Sequence, residues 1–328
     1  MGTQTGIAWT DHTFNPWRGC TKVSAGCTHC YAETLSKRNP SVLGTWGKDG
    51  LRPVAAESYW KLPLTWDRVA AATGVRRRVF CASLADVFED RDDLLLPRAR
   101  LMQCIRDTPH LDWLLLTKRP ENIVRLLRTI PVRDDAASAN VYDALWIGDD
   151  GLAWQRHFPN VWLGTTVEHQ QAADARLPIM LAIPAAQHFI SAEPLVGPVS
   201  LMQTAAGEPG LVMQSTGVLA RWTDVLSWVI IGGESGAGAR PMHPTWVRNL
   251  MQETQNAGIA TFFKQWGAYQ PVRGTPPQVT FTFADGAQVG LYGARMDTGL
   301  WDNQRVHALP CAYIPAEPSK PSSGTKDT

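Results

Sequence analysis

Three cysteines fall within eleven residues of one another, in Gly19-Cys20-Thr21-Lys22-Val23-Ser24-Ala25-Gly26-Cys27-Thr28-His29-Cys30-Tyr31, a C-x6-C-x2-C pattern. The chain's other cysteines, Cys81, Cys104 and Cys311, are isolated. Where thiols stay reduced, a cysteine cluster points to metal binding or catalysis more than to disulfides. Three chemistries fit the loop. Three thiolates can wrap one face of a [4Fe–4S] cube, leaving one iron without a protein ligand and open to a small molecule. They can bind zinc with His29, His12 or a distant group completing the set. They can also remain unliganded thiols. A C-x2-C knuckle usually meets a second knuckle in a zinc site, and this chain has none. Cys81 lies in an apolar run and Cys104 on a helical face, so both read as small core hydrophobes.

Such a loop needs a rigid support, and the chain supplies a repeating one. Short apolar runs, each ending in small or polar residues, recur at 79–83, 113–117, 161–166, 188–193, 228–233 and 261–264. Near-continuous apolar runs of this length suit strands buried on both faces. Helical patterns alternate with them. Ile123, Leu126, Leu127 and Ile130 repeat at helical spacing after Pro120, Leu101, Cys104 and Ile105 do so after Asp92, and Thr245–Ala257 carries Trp246, Val247, Leu250 and Met251 before Gly258. With a first strand near Thr13–Trp17, the alternation predicts an α/β fold, a partial (β/α) TIM-like barrel of six or seven parallel strands over residues 1–270. An open doubly wound sheet is the runner-up. A polar segment at 135–158 reads as an insertion. Residues 271–314 read as a small C-terminal β extension, with a hairpin turning at Asp285-Gly286, and 315–328 as a disordered tail.

Polar residues cluster just past each apolar run: Ser83 and Asp86, then Thr117, Lys118 and Arg119, then Thr166 and Glu168, then Ser191 and Glu193, then Glu234 and Ser235, then Lys264 and Gln265. In a βα barrel that edge carries the active site.

The whole chain sets outer bounds. Its 328 residues suffice for one large domain or two ordinary ones, and 44% hydrophobic with 19% charged residues is a globular composition. A net charge of +1 excludes a polybasic protein held to nucleic acid by charge alone. Fourteen tryptophans predict aromatic packing or stacking surfaces. No apolar run is long enough to cross a membrane, and the first residues lack a signal-peptide pattern, so the expectation is a soluble cytoplasmic protein. No nucleophile elbow or Walker loop is present.

The cysteine loop with an aromatic at Tyr31, placed before a run of βα units, resembles the radical S-adenosylmethionine (SAM) superfamily. More closely, the chain resembles the phage Gp37/Gp68-type family, a divergent branch of it. The matching segments are Trp9-Thr10, Asn15-Pro16-Trp17-Arg18-Gly19-Cys20, the cysteine loop, Ser83–Phe88, Thr117-Lys118-Arg119-Pro120, Gly164–Glu168, Ser191-Ala192-Glu193-Pro194, Gly232–Ser235 and Phe263–Gly267. The superfamily's usual first gap is three residues; here it is six. The resemblance implies that Cys20, Cys27 and Cys30 hold a [4Fe–4S] cluster, with SAM on the open iron. An external one-electron reductant would drive cleavage to a 5′-deoxyadenosyl radical. Lys118 or Arg119 would meet the SAM carboxylate. Ser83, Asp86, Glu168 and Glu193 would accept from its ammonium and ribose, and Tyr31 would border the adenine. Arg119, Lys264 and Trp266 are candidates for substrate phosphates and base stacking, with core packing the alternative for Trp266. The implied substrate is a nucleic-acid base or nucleotide, either a thymine-derived base in phage DNA hypermodification (in the host cytoplasm) or a photoproduct under repair. The different-class alternative is a zinc-stabilised nucleic-acid-binding module.

Overall fold

Seven parallel strands carry the molecule, and the sequence makes them by burying both of their faces. In a computed structural model, residues 5–128, 157–272, 276–291, 300–301 and 304–305 are described. Cys311, the tail at 315–328 and all but the last two residues of the 135–158 segment lie outside them.

The strands are β1 (His12–Thr13), β2 (Arg77–Cys81), β3 (Leu111–Thr117), β4 (Val161–Thr166), β5 (Gln187–Ala192), β6 (Trp228–Gly232) and β7 (Ala260–Gln265). Each pairs in parallel with the next, so spatial order follows chain order without reversal. A doubly wound sheet would reverse direction at a switch point. The sequential order is that of a partial βα barrel with small antiparallel additions, as the alternation predicted.

Helices fill the crossovers: α1 (Tyr31–Ser36), α2 (Leu62–Thr73), α3 (Leu95–Arg106), α4 (Ile123–Arg128), α5 (Gln170–Leu181) and α6 (Pro244–Asn256). A hairpin of Leu211–Met213 with Leu219–Arg221 lies between β5 and β6. After β7, strands β8 (Tyr269–Pro271), β9 (Val279–Thr282) and β10 (Gln288–Leu291) make an antiparallel sheet with β10 central.

Period-two alternation splits each strand between two cores. Val79, Cys81, Trp113, Leu115, Leu163, Ile190, Val229 and Phe263 pack under the helices. Phe80, Leu114, Trp162, Phe189, Trp228 and Phe262 point to the other face, with Trp9 among them. There Trp228 meets Trp162 and Phe262 edge-on, with ring centres 6.2 and 6.4 Å apart. Gly164 makes room for this floor, since a Cβ there would strike the ring of Phe189. The aromatic residues occupy the lower part of the inner face. The strand C-terminal ends are left to smaller and polar side chains.

Candidate active site

Above the aromatic floor the strand ends open into a cavity of about 550 Å³. Cys20, Cys27 and Cys30 all line it, with Tyr31, Ser83, Asp86, Lys118, Arg119, Glu193 and Lys264. Glu168 and Trp266 are not among its lining residues. Trp266 packs in the helix-side core, its ring 5.1 Å from that of Phe263, which is the core-packing alternative and not a stacking surface in the cavity. Cys81 and Cys104 are buried away from it.

Local chemistry shapes the cysteine loop. Gly19 has φ +97°, and a Cβ there would lie 2.6 Å from the Leu51 carbonyl oxygen, so only glycine lets the chain turn into the loop. Ala25–Cys27 makes one 3-10 turn, with the Cys27 N–H donating to the Ser24 carbonyl at 2.9 Å. Cys30 immediately precedes α1. The Asn15 side chain joins the exits of β1 and β2. Its amide donates to the Ser83 hydroxyl at 3.1 Å, and its carbonyl accepts from the Leu84 N–H at 2.8 Å. The Tyr31 hydroxyl donates to the Ser83 carbonyl at 2.8 Å.

The carboxylates at the strand ends are each paired with a cation. Asp86 accepts from Arg119 at 2.8 Å, from the Thr117 hydroxyl at 2.8 Å and from the Lys118 and Phe88 N–H groups at 3.0 Å. Glu168, fully buried, accepts from Arg176 at 2.6 Å. Glu193 meets Lys264 at 2.6 Å. Glu234 accepts from Arg240 at 2.7 and 2.9 Å. An unpaired carboxylate at such depth would cost several kcal/mol, which is why none is left alone. Asp86 and Glu168 are therefore occupied by protein donors, and Glu193 reaches a ligand only by sharing Lys264. The Lys118 ammonium lines the same cavity with no hydrogen-bonded or ion-paired partner among the described residues.

The thiols sit in unlike fields. Burial and the Asp86 carboxylate push the Cys20 thiol up to about 12, against the pull of Arg119, whose guanidinium lies 3.7 Å from the sulfur. Burial also acts to raise Cys27, but the Lys118 charge and hydrogen bonds from Val23 and Ser24 outweigh it and lower the thiol below its ordinary value. Glu168 is held below the usual carboxylate range. Burial raises it, and Arg176, Ser24 and Lys118 together lower it further.

Arg176 and Arg240 were not singled out by the sequence. Their signal was an arginine a short way after a strand-end glutamate, six residues on in Glu234…Arg240 and eight in Glu168…Arg176. Nor was the buried Arg52–Glu89 pair, at 2.7 Å, in which Glu89 also accepts from the Thr21 hydroxyl beside Cys20.

Three thiols outside any disulfide, all facing one cavity, are a soft donor set suited to iron–sulfur or zinc chemistry. Among the described residues no group of three His, Cys, Asp or Glu side chains converges on a single ion position. A four-iron cube takes its thiolates on separate irons, so the set fits it without such convergence.

The family model described as "Protein of unknown function (DUF5131)" matches residues 4–307. No curated protein matches the chain. Among solved structures, it is similar to a spore photoproduct lyase mutant with bound AdoMet and dinucleoside spore photoproduct, at 10% identity and a TM-score of 0.41, covering 89% of this chain and 71% of that one. It is similar at 10% identity, a TM-score of 0.40 and the same coverage to spore photoproduct lyase complexed with dinucleoside spore photoproduct.

Proposed function

We propose, for a chain that belongs to the DUF5131 family, that the cavity is the active site of a radical SAM enzyme acting on a nucleic-acid base. The observation that carries this reading is the placement of Cys20, Cys27 and Cys30 together on one cavity at the C-terminal edge of a partial βα barrel. When bound there, a [4Fe–4S] cluster with SAM, reduced by an external one-electron donor, supplies cleavage of the SAM sulfur–C5′ bond and a hydrogen-abstracting 5′-deoxyadenosyl radical. Cys20, Cys27 and Cys30 bind the cluster as thiolates. Lys118 receives a carboxylate or phosphate, because it is the cavity's cation without a direct partner among the described residues. Ser83 offers a hydroxyl and Tyr31 a ring at the mouth. Phe80, Leu116 and Trp9 line the apolar side of the cavity and exclude water from the reacting atoms.

The substrate we favour is a thymine-derived base, rearranged during phage DNA hypermodification or restored from a photoproduct. A phage Gp37/Gp68-type origin belongs to the same proposal. The test is anaerobic purification followed by iron and sulfide analysis. Brown protein with about four irons per chain, cleaving SAM to 5′-deoxyadenosine and methionine on reduction, supports the reading. Colourless protein with one zinc per chain turns it to a zinc-stabilised binding module.

A further inference from the structure

One peptide group of the cysteine loop is gripped from both sides. The Ala25 carbonyl accepts from Arg240 Nη2 at 2.9 Å, and the Gly26 N–H, across the same peptide bond, donates to Glu168 Oε1 at 3.3 Å. Both partners lie far away in sequence, 215 and 142 residues along the chain. Each is fixed by its own ion pair. Glu234 holds Arg240 through three hydrogen bonds, counting the Arg240 N–H, and Arg176 holds Glu168. The two carboxylates are nearly inaccessible to solvent. The pocket for this peptide is also tight: a Cβ on Gly26 would lie 3.2 Å from the Glu168 carboxyl, which would have to give by a few tenths of an ångström.

Among the described residues, the Ser24 side chain adds a hydrogen bond to the same Glu168 carboxyl, the other hydrogen bonds of residues 23–30 are local turns, and the exposed Lys22–Glu33 pair that flanks them contributes little. The Cys20 end has its own tether, Arg119, which binds Asp86 and the Thr21 carbonyl. A glycine-containing loop of this length is disordered unless long-range contacts offset its entropy. Here two such contacts meet on one peptide between Cys20 and Cys27, with Ser24 on the same Glu168 carboxyl beside them.

We propose that the Ala25–Gly26 peptide is the anchor of the cysteine loop, and that Glu234–Arg240 and Glu168–Arg176 are positioning residues that hold Cys27 and Cys30 over the cavity. The cluster-binding consequence rests on the radical SAM reading; the anchoring itself does not. Removing Arg240 alone would strand the Glu234 carboxylate, so the first variant is the double Glu234→Ala/Arg240→Ala, with Glu168→Gln and Gly26→Ala beside it.

Hydrogen exchange on the full metal-free chain tests the anchor directly. Amides of residues 24–30 should exchange at least tenfold faster in the double variant, while amides of β3 and β4 keep their rates. Unchanged exchange in the loop, or acceleration spread equally through the sheet, overturns the proposal. In anaerobically reconstituted protein, iron should be lost to a chelator at least tenfold faster from the double variant, and the electron paramagnetic resonance signal of the reduced cluster should shift. Arg240→Lys should recover part of both effects, because one ammonium reaches Glu234 or the Ala25 carbonyl but not the pair. If wild-type chain binds no iron or sulfide, the radical SAM reading falls and the exchange result alone decides the anchor. If wild-type binds the cluster and the double variant keeps it with identical loss rate and signal, the positioning role falls while the reading stands.

Discussion

Cys20 and Cys27 sit seven residues apart in one loop, yet one faces a carboxylate–guanidinium pair and the other a lysine. Both differ from Cys81 and Cys104, which pack in the apolar core, and that contrast tells which thiols are built for ligation and which for packing. Replacing Cys20, Cys27 or Cys30 by Ala should each abolish retention of iron and sulfide. Cys81→Ala and Cys104→Ala, whose sulfurs are enclosed in apolar surroundings, should leave both at the wild-type level, as read by metal analysis of anaerobic protein. Full iron in Cys27→Ala would sink the ligand assignment. The cysteine set was legible because metal chemistry needs that residue type at close spacing. The roles of the acids were less so. Asp86 and Glu168 read as ligand acceptors from their position past apolar runs, and only their surroundings reveal that protein donors already fill them. A second residue-scale consequence concerns pH. His188 is buried, its Nε2 2.7 Å from the Ile183 carbonyl, and burial lowers its pKa to about 4. The folded state thus resists protonation that the unfolded chain accepts near 6.5, so stability is fully present above about 6.5 and falls as pH drops toward 4. The loss amounts to up to ~3 kcal/mol. Urea denaturation at pH 7 and pH 4.5 should show it in wild type, and His188→Gln should show a flatter pH dependence over that interval.

The strands were readable because burial on both faces leaves almost no polar positions. The apolar runs at 113–117, 161–166 and 228–233 correspond to β3, β4 and β6 within two residues at either end. The first strand is shorter than expected, two residues in place of Thr13–Trp17. Pro16 has no N–H for a ladder, and Trp17 turns away to bridge Val54 instead. Side-chain volume, by contrast, is invisible in a periodic pattern. Gly164 sits mid-strand, where glycine ordinarily weakens a sheet, and its justification is the Phe189 ring from the neighbouring strand. Gly164→Ala should therefore destabilise the fold by ~1–3 kcal/mol through overpacking, although alanine suits a strand no worse than glycine. Pairing it with Phe189→Leu should recover part of the loss. A neutral Gly164→Ala in chemical denaturation would mean that the aromatic floor yields, and that the cavity above it has no fixed base.

At the scale of the whole molecule, charge decides how a nucleic acid can be held. The chain is balanced, 31 basic against 30 acidic side chains, so its net charge gives a polyanion no large attraction. Around the cavity the balance is local as well. Arg119 is committed to Asp86 and the loop backbone, Lys264 to Glu193 and Arg240 to Glu234, leaving Lys118 as the cation free to neutralise a phosphate among the described lining residues. Single-strand binding releases roughly 0.7 counterions per neutralised phosphate. Binding of a short thymidine oligonucleotide should thus weaken with salt along a logarithmic slope of about −0.7, reaching about −1.4 only if Lys264 exchanges Glu193 for a second phosphate. Lys118→Glu should abolish most of that slope. If Lys118 instead holds the SAM carboxylate, the same variant weakens SAM binding and leaves the oligonucleotide slope as it was. A slope of −4 or steeper would place the nucleic acid on some other surface, and absence of binding to DNA, RNA and nucleotides alike would turn the substrate assignment to a peptide or a small metabolite. Affinity measured by fluorescence anisotropy between 20 and 300 mM salt, a range over which screening of exposed charges changes several-fold, separates these outcomes.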